Sequence, residues 1–366
     1  MRDLKIRKVL IDPQVKDHPL VKRILERLDK IKIKFLSPRE YLTYTENFSF
    51  DEAKRTLFLT TFQGRFVKRC PGTGKGYICC GYRIINQQIN CPLDCSYCIL
   101  QDYLGASPII IYVNFGELKE QLEEYLRRYE GKILRIGTGE LTDSLALDYL
   151  GDFSTFFVLF FRKRKSVFEF KTKTDKIDKV LSLPVSENIV FSWSLNPEKL
   201  VKEEEHLTAS LKKRLESAYI IQEKGFRLGF HFDPIIFYPG WEKEYERLIE
   251  NLFSFIDPSR ILWISLGALR FPPSLKKIIQ KRFPSTKIIY EEMILGLDGK
   301  LRYIKPIRIK MFKKVYNLIK DVAPQIFCYL CMESPDVWEK VTGFSPRSSS
   351  HLEYLFHEYL RRHLFS

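Results

Sequence analysis

The stretch Cys91-Pro-Leu-Asp-Cys95-Ser-Tyr-Cys98-Ile-Leu-Gln101 puts three cysteines in eleven residues, spaced C-x3-C-x2-C. Thiolates are the ligands of iron–sulfur clusters, and such clusters usually take four of them. This run supplies three, so a [4Fe-4S] cubane on Cys91, Cys95 and Cys98 would keep one iron open for a further ligand. A structural zinc site is one alternative, although zinc motifs favour paired C-x2-C units with a matching second pair. Buried free thiols are the other. The spacing, and Tyr97 just before the third cysteine, favour the cluster.

The rest of the composition bounds what surrounds that run. A chain of 366 residues, 45% apolar, is long enough for one large α/β domain plus an appendage, with a full core. No apolar run reaches membrane-spanning length, and the Met1-Arg-Asp-Leu-Lys-Ile6 start lacks a signal-peptide core, which predicts a cytoplasmic protein without a membrane partner. Eight cysteines in such a chain argue for metal or redox chemistry rather than structural disulfides. The net charge of +15 suits a polyanionic partner, nucleic acid first among them. A Lys- and Glu-rich solubilised surface would account for it as well.

Residues 1–68 read as a small basic N-terminal α/β region, with a strand at Ile6–Ile11 and a helix at Val21–Lys34. Residues 69–320 alternate strands and helices. A strand at Tyr77–Ile85 leads into the cysteine run. A short strand at Ile109–Val113 and an amphipathic helix at Phe115–Tyr129 follow it. Strands are then expected at Ile133–Ile136, Val167–Lys171, Ile189–Ser194, Arg227–Asp233, Ile261–Leu266 and Lys287–Tyr290. Helices are expected at Ser144–Phe161, Lys176–Leu183, Thr208–Lys224, Glu242–Ser254, Pro273–Phe283 and Lys310–Lys320. This alternation implies a parallel sheet with helices outside it. Residues 321–366 form a C-terminal extension with a helical tail at His351–Phe365. The Gly72-Thr-Gly-Lys75 run is no P-loop, since the upstream glycine and the Ser or Thr after the lysine are missing, and it reads as a turn.

The three-cysteine spacing resembles the signature of the radical S-adenosylmethionine (SAM) enzymes. That resemblance implies a partial (β/α)6 TIM-like barrel, with SAM chelating the open iron. An electron passed to SAM, from a flavodoxin, ferredoxin or reductase partner, would then yield a 5′-deoxyadenosyl radical. In barrel-type folds the chemistry sits at the carboxyl ends of the strands. Ile136-Gly137-Thr138-Gly139-Glu140 resembles the Gly-Gly-Glu motif of that superfamily: Gly137 and Gly139 allow close backbone approach, and Glu140 offers a carboxylate to the SAM amine. Lys173, in Phe170-Lys171-Thr172-Lys173, offers a cation to a carboxylate or phosphate. Ser194 and Asn196 end the next strand and suit ribose hydroxyls or the methionyl part. His231 and Asp233 share one face of their strand, as lining groups or as a buried structural pair. Lys300, Arg302, Lys305, Arg308 and Lys310 surround Tyr303, a mixture that fits nucleic acid or a basic surface hairpin. Cys70, Cys79, Cys80, Cys328 and Cys331 are left over, as buried thiols or as ligands of a second metal.

From about Cys70 to Asn317 the chain resembles the spore photoproduct lyase family of radical SAM proteins. The likeness is strongest at Cys91–Gln101. It continues through Thr142-Asp143-Ser144, Phe170-Lys171-Thr172-Lys173, Ser194-Leu195-Asn196, and Gly229 with Pro234-Ile235. Those enzymes repair a thymine dimer of ultraviolet-irradiated spore DNA by hydrogen abstraction. The resemblance implies Cys91, Cys95 and Cys98 as cluster ligands, Lys173 and Ser194 as SAM contacts, and Tyr97 as the match of a catalytic tyrosine. Two departures stand out. The family's hydrogen-donor cysteine falls at Glu140 here, and the family's second tyrosine falls at Ile99. A carboxylate is a poor hydrogen-atom donor, so inefficient repair is expected unless a donor comes from elsewhere. Cys328, Cys331, the Cys79-Cys80 pair and Tyr97 are the candidates.

Overall fold

The computed structural model describes residues 5–72 and 76–365. Its larger sheet has eight strands whose spatial order follows the chain: β1 (Val67–Arg69), β2 (Arg83–Ile85), β3 (Arg135–Gly137), β4 (Val167–Thr172), β5 (Ile189–Ser194), β6 (Arg227–Ile235), β7 (Ile261–Ala268) and β8 (Phe327–Leu330). Every neighbouring pair from β2 to β8 is parallel, and only β1 runs antiparallel, on the edge beside β2. Parallel neighbours need long crossovers, and helices such as Phe153–Phe161, Leu211–Lys224, Trp241–Phe255 and Lys305–Val322 supply them. The strands read as near-continuous apolar runs because both faces are covered; all eight residues of β7 are buried. The result is a curled half-barrel, the parallel sheet expected from the alternation and the partial barrel implied by the resemblance.

A second, five-stranded sheet packs a smaller core of its own. Lys32–Phe35, Lys8–Ile11, Thr56–Thr60 and Ile109–Tyr112 lie parallel in that order, and Gln88–Ile89 closes the far edge antiparallel. Strand pairing thus joins residues on both sides of the expected division at residue 68, and β8 lies beyond residue 320. Among the described residues, no helix is long and apolar enough to cross a membrane.

Several elements differ from the sequence expectation, each for a local reason. The helix expected over Val21–Lys34 is confined to Pro19–Glu26. Lys30 turns into the left-handed region at φ 52°, and the alternating Lys32-Ile-Lys-Phe35 pairs as an edge strand with Lys8–Ile11. The strand expected over Tyr77–Ile85 shrinks to Arg83–Ile85, with Ile78 making a single bridge to Glu333. The helix expected over Ser144–Phe161 breaks at Asp152, also left-handed, and Asp148 caps the second half through the Ser154 N–H at 2.7 Å. Lys287–Tyr290 forms a turn, and the edge position beside β7 goes to Phe327–Leu330, which the sequence reading passed over. The turn expected at Gly72–Lys75 lies mostly outside the described residues.

Candidate active site

The cysteine loop leaves β2 and is pinned from four directions by buried polar groups. Lys54, itself buried, donates to the Cys91 carbonyl at 3.0 Å and the Leu93 carbonyl at 2.6 Å, and pairs with Asp94 at 3.6 Å. Arg282 holds the Asp94 carboxylate with two hydrogen bonds of 3.0 and 3.1 Å and reaches Gln101. Gln101 folds back onto the Ser96 carbonyl at 2.8 Å, and the Ser96 hydroxyl donates to Glu204. Asp94–Cys95 also forms a short antiparallel ladder with Glu205–His206. A loop with so many fixed backbone groups presents its side chains in one geometry.

Cys91, Cys95 and Cys98 line one chamber of about 170 Å³ with Gly139, Glu140, Asp143, Lys173 and Ser194. Among the described residues, no three His, Cys, Asp or Glu side chains converge as they would on a single ion. That geometry does not suit tetrahedral zinc, whereas a cubane takes each thiolate on a different iron, so its ligands stand apart around one cavity. The donor set therefore fits a [4Fe-4S] cluster. Burial, followed by Asp143, pushes the Cys91 thiol up to about 12, and burial raises Cys95 further, so iron binding must expel these protons.

The chamber opens onto a second one of about 280 Å³, with Tyr97, Ile99, Glu140, Lys171, Lys173 and Ser194 common to both. The second adds His231, Asp233, Arg270 and Lys300 from the ends of β6, β7 and the hairpin beyond. The carboxyl ends of β3 to β6 thus converge here. Close packing sets the glycine requirement. A Cβ on Gly139 would lie 2.4 Å from the Lys171 Cβ, and one on Gly137 would lie 2.0 Å from the Tyr82 hydroxyl. Gly137 therefore serves the contact between β3 and its neighbours, and it lines neither chamber.

Charge at the site is arranged in pairs. Glu140 forms an ion pair with Lys171, whose ammonium also lies 4.1 Å from the Tyr82 ring centre. Asp143 accepts from the Lys173 N–H at 2.7 Å, from Thr172 at 2.8 Å and from two further backbone N–H groups, which fixes the turn after Glu140 to the end of β4. Fully buried Glu205 sits 2.5 Å from Arg214 and 3.9 Å from Lys173. It accepts from the Tyr97 hydroxyl and from Asn196. Burial opposes the charge of Glu205, but Arg214 first, then Lys173 and these hydrogen bonds, hold its carboxyl down at about 2. Beneath the second chamber, His231 meets buried Glu169 at 2.8 Å, joined by Trp263 at 3.0 Å and Ser192 at 2.6 Å. Burial works against the Glu169 charge too, yet His231, Lys171 and Arg135 keep it well below the usual carboxylate range.

Of the residues singled out in sequence, Tyr97, Gly139, Glu140, Lys173, Ser194, His231 and Asp233 meet around the two chambers with the cysteines. Asn196 stands behind Tyr97, linking it to Glu205 and to the Tyr245 hydroxyl at 2.9 Å, and lines neither chamber. Arg302 and Arg308 differ from the expected basic surface: both are buried, Arg302 on Asp298 at 2.7 Å and Arg308 on Glu333 at 2.9 Å. Lys305 pairs with Asp336 at 2.6 Å and Lys310 with Glu242 at 2.7 Å, and Lys300 alone of the five lines a chamber. Sequence reasoning missed Lys54, Lys171, Glu205 and Arg270. Only Lys171, inside a quoted strand-end motif, carried any signal. A roomier cavity of about 820 Å³ lies beyond Asp94 and Glu205, between Arg55, His206 and Phe283, and holds none of the cysteines.

A three-thiol loop at the carboxyl rim of a parallel half-barrel is the architecture of a radical SAM enzyme. A family model described as spore photoproduct lyase matches residues 5–321, and the chain belongs to that family. It uses a [4Fe-4S] cluster and SAM as cofactors. It is 27% identical over 318 residues to the spore photoproduct lyase of Clostridium acetobutylicum, covering 85% of this chain and 90% of the relative. It is 29% identical over 206 residues to that of Bacillus subtilis, covering 55% and 60% respectively. Among solved structures, a spore photoproduct lyase complexed with dinucleoside spore photoproduct superposes with a TM-score of 0.80 at 23% identity, covering 88% of this chain and 98% of that one. A variant with bound AdoMet and the same dinucleoside gives 0.79 at 22% identity, covering 90% and 100%. At these identities the superpositions speak to the fold.

Proposed function

We propose that this chain starts hydrogen abstraction on a pyrimidine lesion in nucleic acid, drawing its electron from a reduced flavodoxin or ferredoxin. The observation that carries the reading is the cation-lined second chamber, opening directly from the three-cysteine chamber. Lys171, Lys173, Arg270 and Lys300 surround it, against Glu140 and Asp233, and such a lining suits an anionic, phosphate-bearing substrate. The solved relatives named for a bound dinucleoside spore photoproduct support the same substrate class.

When bound, the cluster supplies the electron that cleaves SAM to a 5′-deoxyadenosyl radical. The chain's own residues hold and shield. Cys91, Cys95 and Cys98 carry the cluster. Glu140 takes the SAM amine and Lys173 its carboxylate, each through a charge-assisted hydrogen bond, with Ser194 beside them. Tyr97, anchored on Glu205 and Asn196, forms the wall between β5 and the loop. Arg270, clamped on Asp233 by hydrogen bonds of 3.0 and 3.1 Å, fixes the charge of the far wall.

The test is anaerobic incubation of reconstituted protein with SAM, dithionite and a dinucleotide spore photoproduct. Formation of 5′-deoxyadenosine should rise with the lesion and vanish in Cys95→Ala. A yield indifferent to the lesion, but raised by a small molecule, peptide or tRNA, would assign the site to a different substrate.

A further inference from the structure

Four of the cysteines outside the cluster loop gather on one wall. Cys70 follows β1, Cys79 and Cys80 precede β2, and Cys331 follows β8; together with Met332 they line a chamber of about 170 Å³. The bridge between Ile78 and Glu333 brings these segments together across the open side of the half-barrel. The chamber is continuous with the second one, with Glu140, Lys171, His231 and Asp233 common to both. Cys328 lies on β8 itself and lines none of the three chambers.

The sulfurs are held differently. The Arg270 guanidinium, clamped on Asp233, lies 3.6 Å from the Cys331 sulfur and 3.5 Å from that of Met332. Burial, then Asp233, pushes the Cys331 thiol well up, so it keeps its hydrogen at neutral pH. The hydrogen bond from Cys79 lowers the Cys80 thiol, with Arg135 and Lys171 acting in the same direction. The hydrogen of Cys79 is engaged by Cys80. Tyr97 donates its own to Glu205, on the opposite side of the site.

The geometry points to Cys331 as the hydrogen-atom donor to the substrate radical, acting from the chamber that adjoins the SAM contacts. The inference rests on the proposed hydrogen-abstracting function and names the residue that completes it. An enzyme that removes a hydrogen atom from its substrate leaves a carbon radical, and an S–H bond is weaker than the C–H bond formed when a thiol quenches it. In the step, the S–H bond of Cys331 breaks and a C–H bond forms on the product. No net charge moves, and the odd electron stays on the Cys331 sulfur. Asp233 and Arg270 orient the thiol, and Glu140, which has no hydrogen atom to offer, stays with the SAM contacts.

The test is turnover of a dinucleotide spore photoproduct by the reconstituted enzyme in D₂O, where thiol hydrogens exchange with solvent. The native enzyme should place one deuterium in the repaired product. Cys331→Ser should lose that deuterium while still forming 5′-deoxyadenosine and consuming the lesion to other products, and Cys328→Ser should behave as native. Undiminished deuterium in Cys331→Ser would overturn the assignment, as would its loss in Cys80→Ser alone. Loss of bound iron or zinc in Cys331→Ser would mark the wall as a metal site and overturn it too. If the native enzyme forms no 5′-deoxyadenosine with the lesion, the proposed function fails and takes the donor with it.

Discussion

Replacing Glu205 by Gln tests whether the buried charge network organises the site. Its carboxyl stands at about 2 in the folded chain, against about 4.3 when unfolded. That difference corresponds to about 3 kcal/mol of stability at neutral pH. The sign follows from the depressed value: the contribution is complete above about pH 4.3 and fades as pH falls toward 2. Structure gives a second route to the magnitude. Breaking a buried ion pair costs roughly 3–5 kcal/mol, because the abandoned partner stays desolvated. Arg214, with no exposed surface, would keep three neutral acceptors: the Ala209 and Ser194 carbonyls, each at 2.9 Å, and the Thr208 hydroxyl at 2.7 Å. These put the loss at the low end, again about 3 kcal/mol. Guanidinium unfolding of Glu205→Gln and the native chain, from pH 7 down to 3, should show a gap of this size that narrows below about pH 4.3. Glu187→Gln, whose partner Arg227 lies near the surface, should lose less than about 1 kcal/mol. A loss below about 1 kcal/mol for Glu205→Gln at pH 7, or a gap of constant size across the series, would refute the reasoning.

Three further outcomes are expected. Anaerobic reconstitution should give about four irons per chain, lost in Cys91→Ala, Cys95→Ala or Cys98→Ala, and a full complement in the triple variant would sink the cluster assignment. Lys173→Ala and Glu140→Ala should each weaken SAM binding about tenfold or more by calorimetry, with the cluster retained, since a charged hydrogen bond contributes roughly 1.5–3 kcal/mol; unchanged affinity in both would mean SAM sits elsewhere. Oligonucleotide affinity should fall steeply with salt, Lys300→Ala flattening the slope by about one phosphate contact and Lys305→Ala, already paired with Asp336, leaving it unchanged. A slope indifferent to Lys300 would move the phosphate path away from this chamber.

What the sequence revealed was whatever local chemistry or periodicity determines. Cysteine spacing pointed to a cluster, because the three candidate ligands lie within eight residues of one another. Strand ends were readable because an apolar run stops where a polar side chain turns toward the rim, as at Ser194 and Lys173. Long-range partners stayed hidden. Nothing in Glu205 reveals that it faces Arg214, Tyr97 and Lys173, and nothing in Lys54 reveals carbonyls 37 and 39 residues away. Arg302 and Arg308 looked like surface cations because composition does not reveal burial; their acidic partners, Asp298 and Glu333, make burial tolerable. The strand β8 was missed because Phe327-Cys-Tyr-Leu330 is too short for a period to emerge, and only its pairing with β7 defines it.

The same limit explains how Glu140 bears on the missing thiol. In sequence, a carboxylate at that position looks like a loss, since it cannot give a hydrogen atom. In three dimensions it neutralises Lys171, a half-buried lysine that also faces Tyr82 and Glu169. A thiol at that position would leave Lys171 with less compensation in the same buried space. The cysteines that remain line the wall built from β1, β2 and β8, where Asp233 and Arg270 already provide a partner for a protonated thiol. On the proposed reading, acid–base pairing and hydrogen-atom donation fall to different residues around connected chambers. A substrate radical formed there would have the proposed donor in an adjoining chamber, without Glu140 having to serve both tasks.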